Sequence, residues 1–214
     1  PASLSLALTM TCNGASGTTR DAMVNVLGYS GLSLDQINGG NKTLLANLAR
    51  PAEGIELSIA NSLWARKDVE FKPDFLQRNR EFFGAEINTL TTADAINAWV
   101  SKNTRGKIDK IISRIDRSHI LFLVNAVYFN GLWSVPFDAR LTGDGEFTTA
   151  AGTVVKVPMM HNTARYEYIQ GDGFQLINLG YGKGRISMYV LLPAKGTNLT
   201  SFLKKVTPAA WNGW

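Results

Sequence analysis

Few of the 214 residues could do covalent chemistry: there are two histidines, His119 and His161, and one cysteine, Cys12. A nucleophilic serine or cysteine needs an adjacent base that a third group orients. No G-x-S-x-G elbow accompanies either histidine. The glycine pairs Gly143/Gly145, Gly171/Gly173 and Gly182/Gly184 lack the third glycine and the strand-to-helix setting of a dinucleotide site, and they read as turns. His, Cys and carboxylates are not spaced as metal ligands. Cys12, in "LALTMTCNG", reads as a buried, inert thiol, and a single cysteine excludes an internal disulfide. The expectation is a protein with no catalytic residue, no metal centre and no cofactor.

The informative polar residue is one that breaks an apolar run. "ILFLVNAVYFNGLWSVPF", residues 120–137, carries Asn125 in its middle and reaches Asn130-Gly131 just before Trp133. A continuous Val/Ile/Phe/Tyr-rich run is the pattern of a strand buried on both faces. Asn125 is then a buried amide, which costs about 1–3 kcal/mol if unpaired and so implies a partner elsewhere in the chain. Asn130-Gly131 is either a hairpin turn or an exit from one sheet to another.

The elements that must position these residues divide along the chain. The first third reads as helical: a helix with Pro1 in its first turn, a second over Thr19–Leu27, and a third over Leu34–Ala49 interrupted by "NGG" at Asn38–Gly40. A strand follows over Glu56–Ala65, then a helix opened by Pro73 and stopped by Gly84, and a short strand in "AEINTL". Thr91 or Thr92 caps a helix whose inward stripe is Ala95, Ile96, Trp99 and Val100. After the long strand, residues 120–129, the chain is mostly β. Two strands turn about Ala151-Gly152 and three more follow in "RYEYIQ", "FQLINLGY" and "RISMYVLLP". A last helix starts near Asn198 and is stopped by Pro208. Helices first and antiparallel strands later make the class α+β.

Composition narrows the partners. At 45% hydrophobic and 18% charged the chain is ordinary for a globular protein. Its 22 basic and 17 acidic residues give a net charge of +5, but the basic residues are dispersed. Groups such as Lys102/Arg105/Lys107/Lys110 read as solvated faces, without the basic stripe and interleaved aromatics of a nucleic-acid surface. No apolar run approaches the roughly 20 residues of a membrane span, so neither nucleic acid nor membrane is expected as a partner. The sequons at Asn41 and Asn198 could accept glycans, with chance occurrence the preferred reading.

The order of segments resembles the serpins. "PASLSLALTMTCNGASGTT" is similar to serpin helix B and its turn, and "IANSLWARKDVEFKPDF" to strand 2 of sheet A with helix E. "INAWVSKNTRGKIDKII" resembles helix F and its return loop, and "NAVYFNGLWSVPFD" strand 3 of sheet A. "TGDGEFTTAAGTVVKVPMM" resembles the connection into sheet C, and "YVLLPAKGTNLTSFLKKV" strand 3 of sheet B with helix G. The likeness runs in unbroken order over 1–214, implying a partial serpin domain: an α+β fold with a helical first half and large mixed and antiparallel sheets. It implies a shutter, a buried polar cluster under sheet A containing Ser3 and Asn125. It further implies a breach at Trp133, where the reactive loop enters the sheet, and a helix F gate carrying Asn97 and Trp99.

By the same resemblance the partner is a serine or cysteine protease, trapped as an acyl-enzyme when a cleaved loop inserts into sheet A. Strain stored in the native state and released on cleavage drives the step. The location implied is extracellular. The likeness covers a little over half of a usual serpin domain. Helix A, strand 5 of sheet A, the reactive-centre loop and the last strands of sheet B have no counterpart, so the expectation is a fragment with no reactive centre, accompanied by a C-terminal fragment of the same protein where cleavage has occurred. The alternative keeps the fold and makes the protein a non-inhibitory carrier, storage protein or chaperone. No heparin-type site is expected on the third helix, where only Lys42 and Arg50 are basic.

Overall fold

The computed structural model describes residues 2–50 and 53–214. These fall into two units, one of residues 2–50 and 56–130 and one of residues 53–55 and 131–214.

The first unit begins with three helices, α1 (Ala2–Cys12), α2 (Gly17–Val26) and α3 (Leu34–Leu48). Pro1, expected in the first turn of α1, lies outside the described residues. Contrary to the expected break, α3 runs straight through Asn38-Gly39-Gly40. Each glycine disfavours helix by roughly 1 kcal/mol. Two features offset that cost. Ser33 and Gln36 form a reciprocal capping box at the helix start, and Asn38, wholly buried, donates from Nδ2 to Asn13 Oδ1 at 2.8 Å. Asn13 in turn donates to Asn79 Oδ1 at 3.1 Å, joining the end of α1 to α3 and α4 through amides.

Strand β1 (Ile55–Ala65) follows, then α4 (Pro73–Phe83), β2 (Glu86–Thr89), α5 (Ala93–Asn103) and β3 (Leu121–Gly131). Pro73 sits in the first turn of α4, and Gly84 ends it at φ 60°, a left-handed angle that glycine adopts without strain. Thr92 caps α5, accepting from Ala95 N–H at 3.2 Å. The strand order is β2-β1-β3, with β1 and β2 parallel and Ser62 opposite Glu86. Backbone bonds from Arg66 N–H to the Ile120 carbonyl and from Leu132 N–H to the Gly54 carbonyl hold β1 and β3 in one antiparallel register. That register sets Asn61 opposite Asn125.

Side chains alternate across this sheet with period two. On one face Ala60, Trp64, Phe122, Val124 and Ala126 pack against Ile96, Trp99 and Val100 of α5. On the other, Ile59, Ile87 and Leu123 meet Leu6 and Met10 of α1 and Phe83 of α4. Full burial of an Ile or Leu stabilises by about 1.5–3 kcal/mol, so Ile96 and Leu6 are principal anchors of these helices. One correction concerns β3 itself: it is an edge strand among the described residues, and Asn125 is half-buried instead of enclosed on both faces. Only Val124 and Ala126 of this strand are fully buried. No described strand pairs with its outer edge.

In the second unit the chain leaves β3 without a hairpin at Asn130-Gly131. A 3-10 turn, Ala139–Leu141, leads into the antiparallel pair β4 (Gly143–Thr148) and β5 (Val154–Met159). Strands β6 (Glu167–Gly171), β7 (Phe174–Tyr181) and β8 (Ile186–Pro193) form an antiparallel sheet. Phe174 and Leu176 of that sheet pack against Phe202 of α6 (Leu199–Leu203), with Leu191, Val206 and Trp214 around them. Asn198 caps α6 through Ser201 N–H. Pro208 does more than follow that helix: capped by Thr207, it opens a further one, α7 (Pro208–Gly213), where proline needs no N–H partner.

Candidate functional site

Ser3 and Asn125, far apart in sequence, are in direct contact. Ser3 Oγ donates to Asn125 Oδ1, and Asn125 Nδ2 donates to Asn61 Oδ1 at 2.8 Å. Asn61, only 3% exposed, donates in turn to the Phe83 carbonyl at 2.7 Å. The result is a chain of three hydrogen bonds, all pointing the same way, from α1 across β3 and β1 to the end of α4. It lies on the α1 face of the sheet, beside the outer edge of β3. Asn61 was not singled out from sequence. Its signal was the alternation in "IELSIANSLW", which places an amide on one face but gives no register against a strand some 60 residues away.

The opposite face is held by α5. Asn97, 7% exposed, binds the segment that returns from the helix: its Oδ1 accepts from Ile111 N–H at 2.9 Å and Ile112 N–H at 3.2 Å, and its Nδ2 donates to the Ile112 carbonyl at 2.9 Å. Trp99, 8% exposed, packs in the core beneath α5 and donates from Nε1 to Glu86 Oε2 on β2 at 2.9 Å. Asn97 and Trp99 therefore fasten α5 in two directions, one along the chain and one down onto the sheet. Neither touches the amide chain, which lies beneath.

Trp133 belongs to the second unit. Its ring stacks on Tyr181 at 4.4 Å and 17° and meets the edge of Phe137 at 5.7 Å. Backbone bonds from Ser134 N–H to the Gly180 carbonyl and from Gly182 N–H to the Leu132 carbonyl tie its segment to the end of β7. Gly182, at φ 51°, passes so close to Glu53 that a Cβ there would come within 2.3 Å of the Glu53 carbonyl oxygen. Glycine is required at that crossing.

His119 lies near Asp116 on the return segment, its Nδ1 3.0 Å from Asp116 Oδ1, and His161 is exposed in the second unit. The Ser118 hydroxyl and N–H hold the Asp116 carboxyl below its usual range. Cys12 is wholly buried, and burial pushes its thiol pKa up, against a smaller opposing pull from Arg20. Among the described residues no cluster of His, Cys, Asp or Glu could hold a metal ion, and no helix is long and apolar enough to cross a membrane.

Residues 1–214 match the family described as Serpin (serine protease inhibitor). Human Serpin B9 is 32% identical, with 100% of this chain and 59% of that protein covered. Corticosteroid-binding globulin of Pongo abelii is also 32% identical, over 92% of this chain and 51% of its own length. Arabidopsis AtSerpin1, solved in its native stressed conformation, superposes with a TM-score of 0.90 at 31% identity, over 100% of this chain and 58% of that one. The chain thus spans between half and three-fifths of the length of these relatives. Its α+β fold is theirs, and the chain belongs to the serpin family.

Proposed function

We propose that this chain is the helical and central part of a serpin that inhibits a serine or cysteine protease by loop cleavage and insertion beside β3. The observation that carries this reading is the polar chain Ser3–Asn125–Asn61–Phe83 running under the sheet next to the outer edge of β3, with which no described strand pairs. A strand accommodated at that edge must displace or reorganise the groups beneath it. Hydrogen-bonded amides can exchange one set of partners for another, which allows two discrete arrangements. In this reading Ser3 and Asn125 form the shutter, Trp133 the breach, and Asn97 with Trp99 the fastening of the helix that yields. The chain supplies a trap and no catalytic group. The protease supplies the nucleophile, and the cleaved loop and its specificity come from sequence outside these residues.

A non-inhibitory carrier is the second reading, favoured by the similarity to a corticosteroid-binding globulin. An extracellular location accompanies both readings. The test is to incubate the full-length protein with a panel of serine and cysteine proteases and look for a covalent complex that survives denaturing electrophoresis. A complex of one to one stoichiometry supports inhibition. Cleavage of the protein with no complex, across proteases that do attack it, assigns the carrier reading instead.

A further inference from the structure

Arg105 is the only non-glycine residue with a positive φ, 52°, among the described residues. A residue bearing a Cβ disfavours that conformation, so its presence calls for a role of the side chain or its neighbours. The backbone around it is fixed. Thr104, 1% exposed, donates from Oγ1 to the Val100 carbonyl at 2.8 Å and accepts from Ile108 N–H at 3.1 Å. Gly106 N–H donates to the Ser101 carbonyl at 2.8 Å. The turn after α5 is therefore rigid, and it directs one long cationic side chain.

That side chain meets two strands at once. The Arg105 guanidinium pairs with the Glu56 carboxylate on β1, and its central carbon stands 5.0 Å from the centre of the Tyr128 ring on β3. By the two-residue alternation, Glu56 shares its face with Ala60 and Trp64, and Tyr128 shares its face with Val124 and Ala126. This is the face that α5 covers. Trp99 fastens the middle of α5 to β2 and Asn97 fastens the return segment. Arg105 adds a contact to β1 and to β3, the edge strand among the described residues.

We infer that Arg105 is a positioning residue, a clamp that holds the C-terminal end of α5 against β1 and β3 and sets how often that end lifts. The inference rests on the proposed inhibitory reading, in which the helix yields as a strand enters beside β3. The Glu56 and Arg105 side chains are 40% and 60% exposed, so solvent and salt screen their attraction. A weak, water-facing clamp suits an element that must detach and return. A buried ion pair would be far costlier to break from one side and would resist detachment of the helix.

The experiment uses the full-length protein and hydrogen exchange of the amides of residues 104–112. Arg105→Gln and Glu56→Gln are each expected to speed exchange by roughly three- to tenfold, the range for an exposed ion pair with a cation–π contact. The double variant should go no faster than the quicker single one. Arg105→Lys, which keeps the charge, should recover part of the protection, and 1 M salt should bring the parent protein to the rate of Glu56→Gln. Exchange that responds to Arg105→Gln but not to Glu56→Gln would overturn the clamp onto β1, because the effect would then come from the Tyr128 contact without the ion pair. No response in either variant would overturn it as well. Once a trapped protease is known, Glu56→Gln should shift the partition between covalent complex and released, cleaved inhibitor. Faster exchange with an unchanged partition would leave the clamp in place and refute its link to insertion. Absence of any covalent complex would refute the inhibitory reading without touching the exchange result.

Discussion

The amide pair Asn61–Asn125 makes a quantitative claim about how the sheet is held. In Asn125→Leu the Asn61 Oδ1 acceptor, on a residue 3% exposed, loses its donor, and the Ser3 hydroxyl loses its acceptor. An unsatisfied buried acceptor costs about 1–3 kcal/mol, and the Ser3 hydroxyl, on a half-buried residue, can rotate to another partner. A loss of about 2 kcal/mol is expected. Asn61→Leu strands Asn125 Nδ2 and the Phe83 carbonyl, with a similar loss of about 2 kcal/mol. With both amides replaced, no side-chain partner is left waiting between β1 and β3, so the double variant should fall short of the sum by about 1 kcal/mol or more. Urea unfolding followed by tryptophan fluorescence measures all four proteins, with the slope checked for constancy. Additivity within about 0.5 kcal/mol would refute the reasoning, since the two amides would then act independently. Asn125→Asp is a control of shape: it keeps the acceptor for Ser3 but sets an oxygen against Asn61 Oδ1, and it is expected to lose at least as much stability at pH 7 as Asn125→Leu.

Three further outcomes follow from particular environments. In a glycosylating host Asn198 should be occupied and Asn41 bare by peptide mass spectrometry, because Asn198 is exposed while Asn41 is 6% exposed with its Nδ2 bound to the Ile37 carbonyl. Occupancy at Asn41 would contradict the packing of α3. The Cys12 thiol, wholly buried and with its pKa raised by burial, should resist a thiol reagent at pH 8 and react fully once urea unfolds the chain. Fast reaction of the native protein would contradict that burial. Asp116 is held below the ordinary carboxylate value first by the Ser118 hydroxyl. A depressed folded pKa contributes stability above the unfolded value of about 3.9 and loses it as pH falls through the folded pKa. Ser118→Ala should therefore move the Asp116 carboxyl titration upward by NMR, and an unmoved titration would show the hydroxyl bond to be absent in solution.

Legibility differed from residue to residue. Asn125 could be picked out because an amide in an apolar run demands a partner, yet that demand names no partner. Ser3 came from family likeness, and Asn61 escaped notice because the register between β1 and β3 is fixed by bonds spanning more than fifty residues. The caps at Thr92, Pro73 and Gly84 were readable because they act within one turn. The expected break in α3 failed for the opposite reason: Asn38 is stabilised by Asn13, an amide at the far end of another helix, and local propensity yielded to that contact. Arg105 gave no signal in sequence, since a basic residue after a helix reads as solvated. Its left-handed backbone and its two partners exist only in the folded chain.

Both faces of the β2-β1-β3 sheet are thus fastened by polar contacts set into apolar packing. Below lies the chain from Ser3 to the Phe83 carbonyl, and above lie the bonds of Asn97 and Trp99 and the Arg105 clamp. Apolar contacts such as Ile96 and Leu6 supply most of the stabilisation, but they are non-directional and tolerate small displacements. A hydrogen bond is lost within a fraction of an ångström, and its net value of about 1 kcal/mol is small enough to be exchanged singly. Weak directional contacts on both faces give that packing definite partners, held by several small contacts that can be broken in turn. That combination is what a sheet needs if a strand is to enter beside β3, and it explains why amides occupy positions where Leu or Val would have packed more simply.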